Sequence, residues 1–197
     1  MAPMNIIFHV VSAITTTGAN IVSSSEMAAW APASLIIIMV FMVMGGSSGS
    51  TVGPVKLIRV ITFLRSIRLT VTNMIAPKRV VNIKLKDNKT ISEKEMKEAS
   101  TYIAVYLFFL LIAWIVMTFY TDDPINALCD VTSTIDNIGL STGLIGGSLD
   151  TVPKIMLIFL MWMGRLEILP VLLTIRLGFY TFAQAGKVVK RSVRRRI

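Results

Sequence analysis

The sequence predicts an all-helical membrane protein built on a repeated unit. In each copy a short helix enters the membrane part-way, turns at a glycine, and is followed by a longer helix. Three observations carry this prediction: a composition too apolar for a soluble domain, apolar segments of clearly different lengths, and an internal similarity at a spacing of 121 residues.

Of the 197 residues, 54% are hydrophobic and 16% charged, and the mean hydropathy is +0.70, outside the range of ordinary soluble domains. A formal charge of +9 in a soluble chain would suggest nucleic acid. Here the basic residues cluster beside apolar segments, with no aromatic-interleaved basic surface, so membrane lipids are the expected partner and nucleic acid is not. Cys129 is the only cysteine, which excludes an internal disulfide or a zinc framework. The opening MAPMNIIFHVV lacks a basic n-region, so no cleavable signal pattern is visible. No nucleophile with a base and no metal-ligand cluster stands out, which argues against an enzyme.

One segment is an unambiguous spanning helix: 99–120, ASTYIAVYLFFLLIAWIVMTFY, carries no charge and is long enough for a hydrocarbon layer roughly 30 Å thick. Tyr102, Trp114 and Tyr120 suit headgroup positions, with packing an equal explanation for Trp114. Residues 33–44, ASLIIIMVFMVM, make only about half a crossing at roughly 1.5 Å per residue. They run into GGSSGSTVGP at 45–54 and resume as VKLIRVITFLRSIRL. A glycine-serine run is a poor helix interior. Non-helical backbone at membrane depth survives only against protein or a water-filled cavity, so this is expected to be a broken helix facing an aqueous path. The last apolar segment, 153–179, holds Arg165 and Glu167 near its middle. Two residues apart on a helix, they face nearly opposite ways and cannot neutralise each other. Each needs a partner on another element, because a charge at membrane depth costs about 2.5–3.5 kcal/mol.

Loop charges set the orientation. The segment 56–97 holds eleven Lys or Arg, and the tail carries Lys187, Lys190, Arg191, Arg194, Arg195 and Arg196. Both are expected in the cytoplasm. The opposite loops carry Glu26, Asp122, Asp123 and Asp150, with Lys154 the only base, and are expected outside. Within the cytoplasmic segment, 80–87 alternates as a short strand, Asp87, Asn88 and Lys89 supply a turn, and Ser92 with Glu95 fits a capping box opening the next helix.

Shifting the chain by 121 residues superposes Val10 on Val131, Ser12 on Ser133, Ile14 on Ile135, Gly18 on Gly139 and Pro32 on Pro153. Each copy then reads as a short apolar helix (8–14 and 127–135), a hydroxyl-and-glycine turn, and a longer helix reaching Met-x-Met-Gly at 42–45 and 161–164. A short helix entering from outside and ending at a glycine turn reads as a re-entrant pore helix with its loop. Its C-terminal end carries partial negative charge, and extended backbone after it can offer carbonyl oxygens to a dehydrated cation. Glycine supplies backbone angles that other residues resist. A Thr/Gly turn that merely closes two packed helices is the competing reading. His9, on the first short helix, reads as a hydrogen-bonded packing residue rather than a proton relay. Met42, Met44, Met161 and Met163 read as packing residues. Lys56 and Arg59 read as anchors at the inner interface, with contact to ions at the inner mouth as the competing role.

The stretches SAITTTGAN, MVMGGSSGSTVGPVKLIR, IDNIGLSTG and FLMWMGRLEILPVLL, in that order, resemble the second half of a pore subunit of the Trk/Ktr/HKT superfamily of potassium transporters, of the TrkH/KtrB type. The resemblance covers almost the whole chain. It implies four helix-pore-helix units around one potassium pathway, of which this chain would hold about one and a half. Residues 1–75 would be the pore helix, filter loop and broken second helix of the third unit, 76–98 the cytoplasmic connector, 99–183 the complete fourth unit, and 184–197 a basic tail. The signature filter glycines carry over to Gly18 and Gly139, with Thr16, Thr17, Asn137 and Ile138 supplying neighbouring carbonyls. Potassium would be held at these filter residues only, as substrate, with no cofactor in this chain. Asp136 departs from the neutral residue expected at the end of the last pore helix, and a place behind the filter is the role considered for it.

The resemblance also implies a gate. An intramembrane loop obstructs the pathway below the filter, matching Gly45, Gly46, Ser47, Ser48, Gly49 and Ser50, and an arginine of the last unit projects toward it, matching Arg165. A fixed positive charge beneath the filter repels potassium in a low-dielectric cavity. A buried structural pair is the competing role for Arg165, and Glu167 reads as structural. Implied partners are the missing N-terminal units of the same subunit, a second pore subunit in a homodimer, and a cytoplasmic ring of nucleotide-binding regulatory subunits. The nucleotide would sit on that ring, since GGSSGSTVG lacks the Lys-Ser/Thr ending of a P-loop. The chain is expected not to conduct alone. Two further readings stand beside potassium transport: sodium or mixed transport by the same fold, and a non-conducting membrane module that assembles with a full subunit.

Overall fold

The computed structural model describes residues 3–45, 55–75, 93–166, 170–174 and 176–177, and all regular structure among them is helical. Seven helices follow in order: α1 (Pro3–Ile14), α2 (Ser24–Ala28), α3 (Pro32–Met44), α4 (Leu57–Ile75), α5 (Glu93–Thr118), α6 (Pro124–Ile135) and α7 (Thr151–Leu166). The gate residues Gly46, Ser47, Ser48, Gly49 and Ser50, the strand and turn expected at 80–89, Ser92, Glu167 and the basic tail lie outside the described residues.

The lengths sort the helices by task. Helix α5, with 26 residues, contains the one described helix long and apolar enough to cross a membrane, Lys94–Thr118. It begins six residues before the expected start and stops before Phe119 and Tyr120, which form a turn. The segment 93–98, charged but for Met96, extends it because Glu, Lys and Met are good helix formers. Helices α1 and α6 have 12 residues each, about 18 Å at 1.5 Å per residue, well short of a crossing. Both start earlier than the periodicity indicated, at Pro3 and Pro124 rather than Phe8 and Ala127. Proline at the first position is compatible with a helix because that N–H has no intrahelical partner anyway. Helix α3, 13 residues long, stops at Gly45, whose φ of 52° is in the left-handed range that glycine enters freely.

Helix α6 is the hub, packed against α3, α5 and α7, while α1 packs on α3 and α4 on α5. Two apolar clusters meet on it. One joins Tyr102, Tyr106, Leu110, Ala113 and Met117 of α5 to Ala127, Val131 and Ile135 of α6 and to Leu157, Leu160 and Met163 of α7. The other joins Leu35, Ile38, Met39 and Met42 of α3 to Ala13, Met27, Cys129, Ile138 and Leu140. The opposite faces stay apolar and exposed, as with Leu107, Phe108, Leu111 and Ile115 on α5 and Ile36, Ile37 and Val40 on α3. Such faces suit acyl chains or neighbouring apolar protein and not water.

Helix α2 was not anticipated. Ser23 Oγ accepts from the Glu26 N–H at 3.3 Å and the Glu26 carboxylate accepts from the Ser23 N–H at 3.1 Å, a capping box that lets five residues hold a turn and bury Met27 completely. The two Met-x-Met-Gly stretches also prove not to be equivalent. Measured from Pro32 and Pro153, the buried Met42 corresponds to the buried Met163. Gly45 ends α3, whereas Gly164 lies inside α7.

Candidate functional site

The two short helices end in the same way, residue for residue, at a spacing of 121. After α1, the Thr17 N–H donates to the Ser12 carbonyl at 3.1 Å and the Thr16 N–H to the Ala13 carbonyl at 3.2 Å. After α6, the Ile138 N–H donates to the Ser133 carbonyl at 2.9 Å and the Asn137 N–H to the Thr134 carbonyl at 3.2 Å. This six-to-one and five-to-two pairing is the Schellman motif, which needs a left-handed residue just past the helix. Thr16 and Asn137 take that place, with φ of 52° and 55°. Asparagine tolerates the conformation, whereas a β-branched threonine resists it.

Two residues later φ is positive again, at Gly18 (70°) and Gly139 (100°), while Thr17 and Ile138 between them are not left-handed. Each helix is therefore stopped by Thr16 or Asn137, and the glycine belongs to the irregular segment that follows.

The two bends touch. A Cβ on Gly18 would fall 1.8 Å from the Ile138 carbonyl oxygen and 3.3 Å from the Gly139 Cα, whereas a Cβ on Gly139 would meet nothing within 4 Å. Absence of a side chain at Gly18 thus brings the expected filter residues Thr16, Thr17 and Gly18 beside Asn137, Ile138 and Gly139. Ile138 is 5% exposed, its side chain anchored in the α3 cluster, while Thr17 and Gly139 are exposed.

Behind each bend stands a brace. Ser12 Oγ donates to the Ala19 carbonyl at 2.7 Å, and the equivalent Ser133 Oγ accepts from the Gly139 N–H at 3.1 Å. His9, fully buried, places Nδ1 2.7 Å from the Asn5 carbonyl oxygen and Nε2 2.6 Å from Asn20 Oδ1. Its ring meets Trp30 edge-on at 5.1 Å. This is the packing role expected for it, with a polar contact to the outer limb of the bend added. Asp130, also fully buried, accepts from the Thr142 N–H at 2.6 Å, from Thr142 Oγ1 at 3.1 Å and from Ser141 Oγ at 3.0 Å.

Two contacts tie the α6 bend to its neighbours. Asp136, 2% exposed, accepts from the Tyr106 hydroxyl of α5 at 3.1 and 3.2 Å. Asn137 Nδ2 donates to the Met161 carbonyl of α7 at 3.1 Å. One turn on, a Cβ at Gly164 would fall 1.8 Å from the Ile135 carbonyl oxygen and 2.7 Å from Asn137 Nδ2. Gly164 therefore lets α7 lie directly on the end of α6, and the exposed Arg165 follows it. Of the expected gate, Gly45 and Arg165 are described. No group of His, Cys, Asp and Glu suited to a metal ion occurs among the described residues.

Comparison with known proteins places the chain in a family. A profile of the family described as "TrkH: Cation transport protein" matches residues 1–179. An uncharacterized cation transporter of Methanocaldococcus jannaschii is 31% identical over 166 residues, covering 84% of this chain and 34% of that protein. The Trk system potassium uptake protein TrkH of Escherichia coli K12 is 26% identical over 168 residues, covering 84% and 34%. The crystal structure of the potassium transporter TrkH from Vibrio parahaemolyticus superposes with a TM-score of 0.73 at 24% identity, covering 85% of this chain and 36% of that one. That likeness shows the fold. The chain spans about a third of the length of these relatives. The family is one of membrane cation transporters and not of enzymes, and with nine-tenths of its residues matched, this chain belongs to the TrkH family of cation transport proteins.

Proposed function

We propose that this chain supplies two neighbouring filter loops to a potassium pathway. The observation that carries this reading is the contact of Gly18 with the Ile138 carbonyl, made by two bends whose backbone repeats at 121 residues. A residue-by-residue change in the sign of φ, as at 16–18 and 137–139, can turn successive carbonyls to one side of the chain. Carbonyls so arranged replace the hydration shell of a monovalent cation. The helix ends behind them add partial negative charge. Potassium is the substrate proposed because it is the ion in the names of the bacterial relatives.

In this reading the loops open to the outside and the segment 56–97 with the tail faces the cytoplasm, by the excess of Lys and Arg there. Gly45 and the Arg165 side chain belong to the gate. Further units of the same subunit complete the ring, a second pore subunit pairs with it, and a cytoplasmic nucleotide-binding ring regulates it. The test is uptake into vesicles by the assembled transporter that carries this chain. Potassium influx that a tenfold excess of sodium leaves largely intact is expected. Equal competition by sodium assigns mixed transport instead, and no flux assigns a non-conducting module.

A further inference from the structure

The braces behind the two bends obey the same spacing as the bends themselves. His9 and Asp130 stand 121 residues apart, and so do their partners Asn20 and Ser141. In both copies the pair joins a fully buried pore-helix side chain to the residue eleven positions later. Both partners lie two positions beyond the filter glycine, with only Ala19 or Leu140 between. We propose that His9 and Asp130 are equivalent positioning residues that fix the outer limb of each filter loop and thereby set discrimination between potassium and sodium. This rests on the filter reading above.

The geometry gives each residue a distinct strength. Asp130 takes three hydrogen bonds from two consecutive residues, including the Thr142 backbone N–H at 2.6 Å, and bonds to a carboxylate are the stronger kind. His9 holds one side-chain amide at 2.6 Å, and that amide also accepts the Val22 N–H at 3.2 Å. Its ring is backed by the Asn5 carbonyl and by Trp30. Both anchors sit on helices packed into the fold, so the limb is held to a rigid element. Carbonyl position and field strength decide which ion replaces its water at lowest cost. A limb released by one residue's length from the glycine alters both. Asp130 therefore governs the α6 loop more tightly than His9 governs the α1 loop. At Asp130 the requirement is for hydrogen-bond acceptors in the right place and not for charge, since Asn at 130 keeps an acceptor for Thr142.

The experiment measures the potassium-to-sodium flux ratio and the total cation flux of the assembled transporter in vesicles. Asp130→Ala should lower the ratio about tenfold and His9→Ala about threefold, the scale of one to a few lost hydrogen bonds. Asp130→Asn should restore the ratio to within about twofold of wild type, the residual loss reflecting a neutral acceptor. Ser141→Ala, on a half-buried side chain, should fold in any case and lower the ratio about threefold. Combining it with Asp130→Ala should add nothing. Folded variants whose total flux changes while the ratio stays at the wild-type value overturn the proposal and leave the filter reading intact. A wild-type protein that conducts without preferring potassium overturns both.

Discussion

The Ile138 carbonyl oxygen occupies the side of Gly18 on which any other residue would carry its side chain, 1.8 Å from where a Cβ would be. The equivalent Gly139 has open space on that side. Two glycines at matching positions of a repeat therefore carry different requirements, one steric and conformational, the other conformational alone.

Alanine scanning should expose that difference. Gly18→Ala has to push the two bends apart as well as hold φ near 70°, so potassium-selective flux should fall by well over tenfold. Gly139→Ala meets only the left-handed backbone cost, about 1–3 kcal/mol, and should retain more of the flux. Flux ratios in vesicles, with protein amount normalised, check the order. Equal losses, or a larger loss at Gly139, count against the packing of the two bends.

Thr16 is the strained end of the first Schellman motif. Replacing it with Asn, the residue at the matching position 137, should stabilise the protein by about 1 kcal/mol, because Asn enters the left-handed region more readily. Thermal unfolding in detergent measures this. A lowered midpoint would mean that Thr16 has a role its backbone angle does not disclose.

Gly164 sets the distance between α6 and α7. A methyl group there meets the Ile135 carbonyl and the Asn137 amide, so Gly164→Ala should destabilise the fold by about 1–3 kcal/mol, the usual scale for overpacking. Since Asn137 is a filter residue in the proposed reading, selectivity should fall with stability. Unfolding curves and flux ratios on the same preparation test both halves.

Arg165 follows Gly164 on α7. If its charge is a barrier below the filter, Arg165→Ala in the assembled transporter should raise potassium flux severalfold while Arg165→Lys leaves it near wild type. Unchanged or lower flux in well-folded Arg165→Ala protein argues for a structural partner role.

Much of this was legible in the residues, and the gaps have physical causes. The 121-residue spacing located both bends, because glycine and hydroxyl residues stand out against an apolar background. Periodicity missed the first turns of α1 and α6, since Pro3 and Pro124 look like helix breakers unless they are read as helix starters. Glycine drew attention from Thr16 and Asn137, where the helices end, because nothing in a threonine announces a left-handed backbone. The braces were available in principle: the same shift that pairs Gly18 with Gly139 pairs His9 with Asp130, but unlike residues at matching positions do not read as a repeat. The contact of Gly18 with Ile138 depends on how α1 and α6 dock through α3, and no local pattern encodes that. Ser23 and Glu26 did spell a capping box for α2, obscured by neighbouring serines.

The most direct measurement is a density map of the assembled transporter in thallium or rubidium, heavy substitutes for potassium. The account predicts an ion peak in contact with carbonyl oxygens of residues 16–18 and 137–139. Ion density along a route that avoids both bends, with Gly18 and Gly139 packed against lipid or against protein far from that route, would contradict it.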